Sequence, residues 1–375
     1  MKRLIYADNA ATTKLDLDAF EAMKPYLLDE YGNASQPYSF SRCPKKAIKE
    51  AREIIAACIN AEPEEIYFTS GGTESDNWAI KGALLSSGDK KTTITSSFEH
   101  HAILNACAAM ERLEYPVVYL KPNNNGFIEI SSLEAVITPN TQLVSIMMSN
   151  NEIGSIQPIK ELVEIAHKNG ALFHTDAVQS IGHIPIDVKD LGIDMLSASA
   201  HKFNGPKGTG FLYIKNGTPI ESLLNGGSQE RGQRAGTENT ASIVGMAVAL
   251  QKNCAELETN SKHILELEEL LFMLLKEKEI DFIQNGKGKR VPGNISLSFP
   301  GFEGEAILHR LDLMGIQVST GSACDSTNTH ISHVLRAINA NERNALGTIR
   351  ISLGKNNSKD DILSIVSALD KIINS

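Results

Sequence analysis

Short apolar runs alternate with segments of helical periodicity between residues 64 and 215, and this alternation constrains the fold more than any other feature of the chain. One predicted helix begins at Pro158 and ends before Gly170, a common pair of start and stop signals. The alternation is typical of a mostly parallel sheet covered by helices on both faces. Ligands of such α/β sheets bind at the carboxyl ends of the strands. The predicted strands are 66–69, 92–96, 116–120, 141–148 (the longest), 171–175, 193–199 and 209–214.

After residue 240 the pattern changes to α+β. A long helical stretch over 240–278 is followed by short strands and helices that end with a helix from Ser358. A chain of 375 residues exceeds what one hydrophobic core usually supports. We therefore predict a large domain over residues 15–250 and a small domain formed by residues 1–14 and 251–375.

Composition excludes several classes of protein. The net charge of −9 argues against a general nucleic-acid binder, which needs a basic face. No stretch is long and apolar enough to span a membrane, and the first residues lack the apolar region of a signal peptide. The five cysteines are odd in number, widely spaced and without a CxxC pair, so neither a disulfide framework nor a structural zinc site is expected. This cysteine usage predicts a cytoplasmic location.

Two charged residues end predicted strands. Asp176 follows the run 171–175 directly, and Lys202 follows the run 193–200 with His201 between them. A lysine at the end of a buried strand is unfavourable unless its charge is used or neutralised. Pyridoxal phosphate chemistry requires such a pair, because the lysine amine forms a Schiff base and the carboxylate keeps the pyridine nitrogen protonated. Taken singly, each has a simpler interpretation, a turn lysine and a helix N-cap, but together they favour the cofactor.

The segment 69–75 follows a strand, opens a helix and is rich in small residues. Its backbone amides and the helix N-terminus favour an anion, although a plain N-cap explains the pattern equally well. Ser199 and His201 flank the lysine and offer further contacts to a phosphate group.

Polar residues also follow two other predicted strands. His100 or His101 could lie flat over an aromatic cofactor, or could be a solvated residue at a helix start. Adjacent histidines on a helix point apart, so we predict no metal site there. Asn151 follows the strand 141–148, where an amide can bind a cofactor hydroxyl or a substrate carboxylate, or simply form a turn.

Cys324 and Arg350 are candidates in the second part of the chain. Cys324 lies in a polar loop of small residues and is a candidate nucleophile, whereas the other cysteines fall mostly in helical patterns. Arg350 interrupts an apolar strand, and its planar fork suits a substrate carboxylate. An edge-strand arginine that faces water is the alternative.

Together these residues resemble the cysteine desulfurases, NifS/IscS-like members of the class V aminotransferase group of fold-type I pyridoxal phosphate enzymes. The resemblance runs nearly from end to end and includes Ala200-His201-Lys202 and Gly321-Ser322-Ala323-Cys324. It implies an α/β large domain with a mostly parallel seven-stranded sheet, and a smaller α+β domain that carries the cysteine loop. The other matching segments are 6–13, 31–35, 72–75, 99–100, 150–154, 176–180, 205–210, 234–239 and 334–337.

The resemblance also implies an activity. Sulfur would leave L-cysteine, L-alanine would remain, and Cys324 would carry the sulfur as a persulfide to an iron–sulfur scaffold or a tRNA-thiolation protein. Arg350 and Asn151 would bind the substrate carboxylate. The implied cofactor contacts are Lys202 to pyridoxal 5'-phosphate, Asp176 to the pyridine nitrogen, Gln179 to the ring hydroxyl, His100 stacked on the ring, Thr73, Ser199 and His201 to the phosphate, and Thr237 to the phosphate of the partner in a homodimer.

One departure from the family pattern affects the expected rate. Asp325 follows Cys324, where a small neutral or hydroxyl residue is usual, and a nearby carboxylate disfavours the thiolate. A selenocysteine lyase, another class V enzyme such as a transaminase, or a catalytically silent scaffold for sulfur carriers are alternative functions. A transaminase needs no thiol, and a scaffold would not need Lys202, Asp176 and Arg350 together.

Overall fold

The computed structural model describes residues 4–320 and 331–374, which form an α/β core beside a second, smaller sheet. Its strands are β1 (Ile5–Tyr6), β2 (Ile66–Thr69), β3 (Thr92–Ser96), β4 (Val117–Leu120), β5 (Thr141–Ser145), β6 (Leu172–Asp176), β7 (Met195–Ser199), β8 (Gly210–Ile214), β9 (Ile283–Asn285), β10 (Asn294–Ser298), β11 (Ile316–Gln317) and β12 (Thr348–Ser352).

The seven-stranded sheet has the order β2-β8-β7-β6-β5-β3-β4. β8 runs antiparallel to both of its neighbours, and the other pairs are parallel. Since β2 and β7 are both antiparallel to β8, they run parallel to each other. The carboxyl ends of β2, β6 and β7 therefore lie at the same edge, and the prediction of a mostly parallel seven-stranded sheet is confirmed.

Helices cover this sheet, and others pack against the smaller one. They are α1 (Leu17–Leu28), α2 (Arg42–Cys58), α3 (Gly72–Leu85), α4 (His101–Glu111), α5 (Ile130–Glu134), α6 (Ile159–Lys168), α7 (Val188–Leu191), α8 (Thr240–Ala255), α9 (Leu257–Glu277), α10 (Gly304–Leu313), α11 (His333–Ala337), α12 (Glu342–Ala345) and α13 (Lys359–Ile373). Within the described part of the chain, no helix is both long and apolar enough to cross a bilayer.

The second sheet has the antiparallel order β12-β10-β9, and β1 pairs with β11 beside it. Ile5 and Ala7 share one buried apolar cluster with side chains of α9, α10, α13, β10 and β12. Val334 and Leu335 of α11 belong instead to the cluster of the large sheet. The domain limits given above stay a prediction.

Several element limits differ from those predicted. β5 ends at Ser145, although Ile146 and Met148 continue to donate backbone hydrogen bonds to the carbonyl groups of His174 and Asp176. The predicted helix over 240–278 is two helices, α8 and α9, divided at Glu256. α1 and α2 were not predicted, and both pack against α8.

Candidate active site

A cavity of about 330 Å³ lies at the edge of the sheet where β6 and β7 end. Asp176 ends β6 and Ser199 ends β7, while Lys202 closes the single 3₁₀ turn that follows β7. The first turn of α3 and the start of α4 form other walls. Nine of the residues predicted from the sequence line this cavity: Thr73, His100, Asn151, Asp176, Gln179, Ser199, His201, Lys202 and Arg350.

One predicted residue that the structure describes does not line it. Thr237 is exposed, in the irregular segment before α8. Cys324, with the neighbouring Asp325, lies outside the described residues, so its predicted role as nucleophile stays a prediction.

Lys202 is held by backbone carbonyl groups of the N-terminal segment. Its Nζ donates to the carbonyl oxygens of Ala10 at 2.6 Å and of Ala11 at 2.8 Å. The side-chain amide of Gln179 donates to the same carbonyl of Ala10 at 3.0 Å. The segment after β1 therefore fixes two candidate cofactor contacts at once.

Asp176 is a buried carboxylate at the base of the cavity. One of its oxygens accepts the backbone N–H of Val178 at 2.9 Å. Burial raises the pKa of Asp176, and the nearby His100, the same backbone N–H and Lys202 lower it. A cationic N–H group of a ligand in the cavity would stabilise the charged form further.

His100 caps the N-terminus of α4. Its Nδ1 accepts the backbone N–H of Ala102 at 3.1 Å, which leaves Nε2 as the protonated nitrogen of the neutral ring. Burial lowers the pKa of His100, and Lys202 acts in the same direction. The structure thus places a neutral imidazole on the cavity wall.

The first turn of α3 lines the cavity through Gly72 and Thr73. Its N-cap, Gly71, has a φ of +144° and makes no side-chain capping hydrogen bond, and the anion contact expected there stays a prediction. A Cβ on Gly72 would come within 2.7 Å of the Val178 side chain, which requires glycine there. Thr73 belongs to this turn, and His201 lies beside it. Burial lowers the pKa of His201 to about 4, and Lys202 and Lys207 contribute, so this ring is a neutral donor.

Arg350 is buried at 2 % exposure, which excludes the water-facing alternative. Its Nη2 donates to Asp8 Oδ1 at 2.7 Å and its Nη1 to the Asn151 carbonyl at 2.9 Å. Its Nε is buried and has no hydrogen-bond partner within residues 4–320 and 331–374. A buried guanidinium N–H of this kind, on the wall of a cavity, suits a ligand carboxylate.

The amide residues after β5 divide their roles. The side chain of Asn150 accepts the backbone N–H groups of Glu152 and Ile153, so this residue forms the turn. Asn151 contributes its carbonyl to Arg350, and it lines the cavity. Asn151 also lies in this turn, and its contact with a cofactor or a substrate stays a prediction.

Sequence reasoning missed two cavity residues and one contact. The contact is the ion pair of Asp8 with Arg350, which joins positions 342 residues apart. Asp76 lies on the buried face of α3 beside Ala79 and Ile80, where a carboxylate within an apolar stripe was a usable signal. His333 begins α11 and lies 4.7 Å from His101 between ring centroids.

The donors and acceptors present fit pyridoxal phosphate. The cavity offers a lysine amine, a buried carboxylate for the ring nitrogen and a glycine-lined helix start for the phosphate. The buried Nε of Arg350 remains for a substrate carboxylate.

Comparison with known proteins agrees with this geometry. The model of the family "Aminotransferase class-V" matches residues 5–365. A cysteine desulfurase IscS of Dictyoglomus turgidum is 48% identical over 375 residues, which are all of this chain and 95% of the relative. A NifS-like protein of known structure superposes with a TM-score of 0.94 at 36% identity, covering 99% of this chain and all of that one.

A third relative carries a ligand. The structure described as "SspA in complex with cysteine" has a TM-score of 0.84 and 36% identity, and covers 96% of this chain and all of its own. The expected family is confirmed, and its members depend on pyridoxal phosphate. The chain belongs to the class V aminotransferases and, among them, to the cysteine desulfurases.

Proposed function

We propose that the protein removes sulfur from L-cysteine, leaves L-alanine, and holds the sulfur as a persulfide on Cys324 before passing it to an acceptor. The observation that carries the proposal is one cavity containing Lys202, the buried carboxylate of Asp176 and the buried Nε of Arg350. These groups provide, respectively, an amine, a counter-charge and a carboxylate donor for an amino-acid substrate.

The cofactor, when bound, withdraws the electron pair that develops on the substrate. Lys202 would hold it covalently and move protons at Nζ, Asp176 would pair with the ring nitrogen, and Gln179 would contact the ring hydroxyl. His100 would stack on the ring and exchange a proton at Nε2. Phosphate contacts would come from Thr73, Ser199 and His201.

Arg350 would orient the substrate through its carboxylate, with Asn151 beside it. The thiolate of Cys324 would then attack the substrate sulfur. An S–S bond forms, the C–S bond breaks, and its electron pair leaves with the substrate carbon, which takes up a proton to become the methyl group of alanine. The products are one persulfide and one L-alanine, so no external oxidant or reductant is needed.

The assembly and the acceptor belong to the same proposal. Thr237 is exposed and lies outside the cavity of its own subunit, which suits a contact with the phosphate of a partner in a homodimer. The acceptor would be an iron–sulfur scaffold or a tRNA-thiolation protein. Transfer by a free thiol needs a reducing compartment, and the cytoplasm fits this requirement.

The proposal is tested by incubating the purified protein with L-cysteine and dithiothreitol and measuring both products. We expect sulfide and alanine in equal amounts, and their rate should increase when a candidate scaffold protein is added. Selenocysteine is the matched alternative substrate. Turnover of selenocysteine with none of cysteine would identify a selenocysteine lyase and contradict the proposal.

A further inference from the structure

A chain of buried polar groups runs behind Asp176, and the mechanism proposed above does not use it. Ser145 Oγ lies 2.9 Å from His174 Nδ1, and His174 Nε2 lies 2.9 Å from Ser197 Oγ. All three side chains are fully buried. The chain leads to Asp76 of α3, whose Oδ1 lies 3.8 Å from His174 Nε2.

Asp76 itself is 2 % exposed and lines the cavity. Its Oδ1 is buried and accepts no hydrogen bond from any residue that the structure describes. Ligating atoms of Asp76, Asp176 and His100 all lie within 4.8 Å of one another. Two buried carboxylates at this separation cannot both be charged without a large unfavourable interaction, so the pair retains a proton at neutral pH.

The surroundings differ between the two carboxyl groups. Asp176 accepts the backbone N–H of Val178 and has Lys202 nearby, and both stabilise its charged form. Asp76 has Ser197 as its stabilising neighbour, while Asp176 and the buried Glu99 disfavour its charge. Burial lowers the pKa of His174 to about 3, so that ring is neutral and provides no counter-charge.

We propose that Asp76 is a positioning residue that holds the proton of the carboxyl pair, so that Asp176 alone is charged beneath the cofactor. The inference rests on the proposed contact of Asp176 with the pyridine nitrogen. If Asp176 held the proton instead, the ring nitrogen would lose its counter-charge. If Asp76 and Asp176 were both ionised, one of the two carboxylates would have no compensating cation. Where the surroundings give two carboxyl groups different proton affinities, one stays charged and the other stays protonated, and the two therefore have different roles.

The direct test is the infrared spectrum of the holoenzyme near neutral pH. Wild-type protein should show the carbonyl stretch of a protonated carboxylic acid, shifted by ¹³C-labelling of aspartate, and Asp76→Asn should lack this labelled band. Glutamates, Glu99 included, are silent to the aspartate label. Asp194→Asn is the matched control, because Asp194 is also buried but accepts hydrogen bonds from His167 and the Phe173 backbone, and it should leave the band unchanged.

Thermal unfolding of the holoenzyme gives a second readout. A carboxyl that stays protonated in the folded state but ionises in the unfolded state destabilises the fold increasingly as pH rises above about 4. The melting temperature of Asp76→Asn should therefore exceed that of the wild type by a margin that grows from pH 5 to pH 8.

Loss of the labelled band in Asp76→Asn supports the proposal, whereas an unchanged band or no labelled band in the wild type overturns it. If Asp76→Asn does not fold, the labelled wild-type spectrum still decides between a protonated and a fully ionised pair. Asp176→Glu keeps both carboxyl groups, and because glutamate is silent to the label, loss of the labelled band in this variant would place the proton on the wrong partner. If Asp176→Asn retained the cofactor fully, the proposed contact of Asp176 with the pyridine nitrogen would be wrong, but the assignment of the proton to Asp76 would stand.

Discussion

Replacing Arg350 by alanine tests how the substrate is held. The guanidinium donates to Asp8 and to the carbonyl of Asn151, and its buried Nε faces no other protein acceptor among the residues described. Truncating one member of a buried, hydrogen-bonded charge pair weakens binding by about 2–5 kcal/mol, because the remaining charge stays desolvated. One decade of affinity corresponds to about 1.4 kcal/mol, so KM for cysteine should rise at least roughly tenfold.

The assay pairs steady-state kinetics with equilibrium binding. KM is measured from alanine release, and the affinity for L-alanine, which shares the carboxylate but lacks the thiol, is measured by titration of the holoenzyme. Arg290→Ala is the matched control, because Arg290 forms a buried ion pair with Glu268 away from the cavity. Both variants should lose stability, but only Arg350→Ala should lose affinity. An unchanged KM, with a stability loss like that of Arg290→Ala, would make Arg350 a structural residue.

The remaining predictions concern the cofactor, the cysteine and pH. Borohydride reduction and peptide mapping should place the pyridoxyl group on Lys202, and labelling of another lysine would contradict the assignment. Cys324→Ser should keep the cofactor spectrum and abolish sulfide release, whereas Cys107→Ser should retain activity, because Cys107 is buried and its pKa is raised to about 12 by burial. Asp325→Ser should lower the pH at which Cys324 reacts with iodoacetamide, and an unchanged alkylation profile would exclude restraint by this carboxylate. Because burial lowers the pKa of His100, its ring is protonated at a lower pH than an ordinary histidine, and any loss of rate from its protonation should fall below the pH at which a free histidine titrates.

Parts of the fold could be predicted because local sequence signals are strong there. β2 and β3 have the predicted limits, since each is a short run rich in β-branched or aromatic residues. α1 and α2 were missed, although α2 is amphipathic and buries Ile48, Ala51 and Ile55. The break between α8 and α9 at Glu256 carries no glycine or proline, so the sequence offered no stop signal.

The candidate site also has a part that the sequence could predict and a part that it could not. Lys202, Asp176 and Ser199 could be placed at one edge because parallel strands end together. The contacts of Arg350 could not be predicted, since its partner Asp8 lies at the other end of the chain and the pairing depends on tertiary structure. The hydrogen bonds of Lys202 to the Ala10 and Ala11 carbonyls were unpredictable for the same reason.

Intact-protein and peptide mass spectrometry after a single turnover with L-cysteine tests the central claim most directly. Reductant is omitted, and alanine is quantified in the same sample. We expect one added sulfur atom, located on the peptide that contains Cys324, together with one alanine per sulfur. Alanine formed without an added sulfur, or sulfur located on Cys43, Cys58, Cys107 or Cys254, would contradict the account.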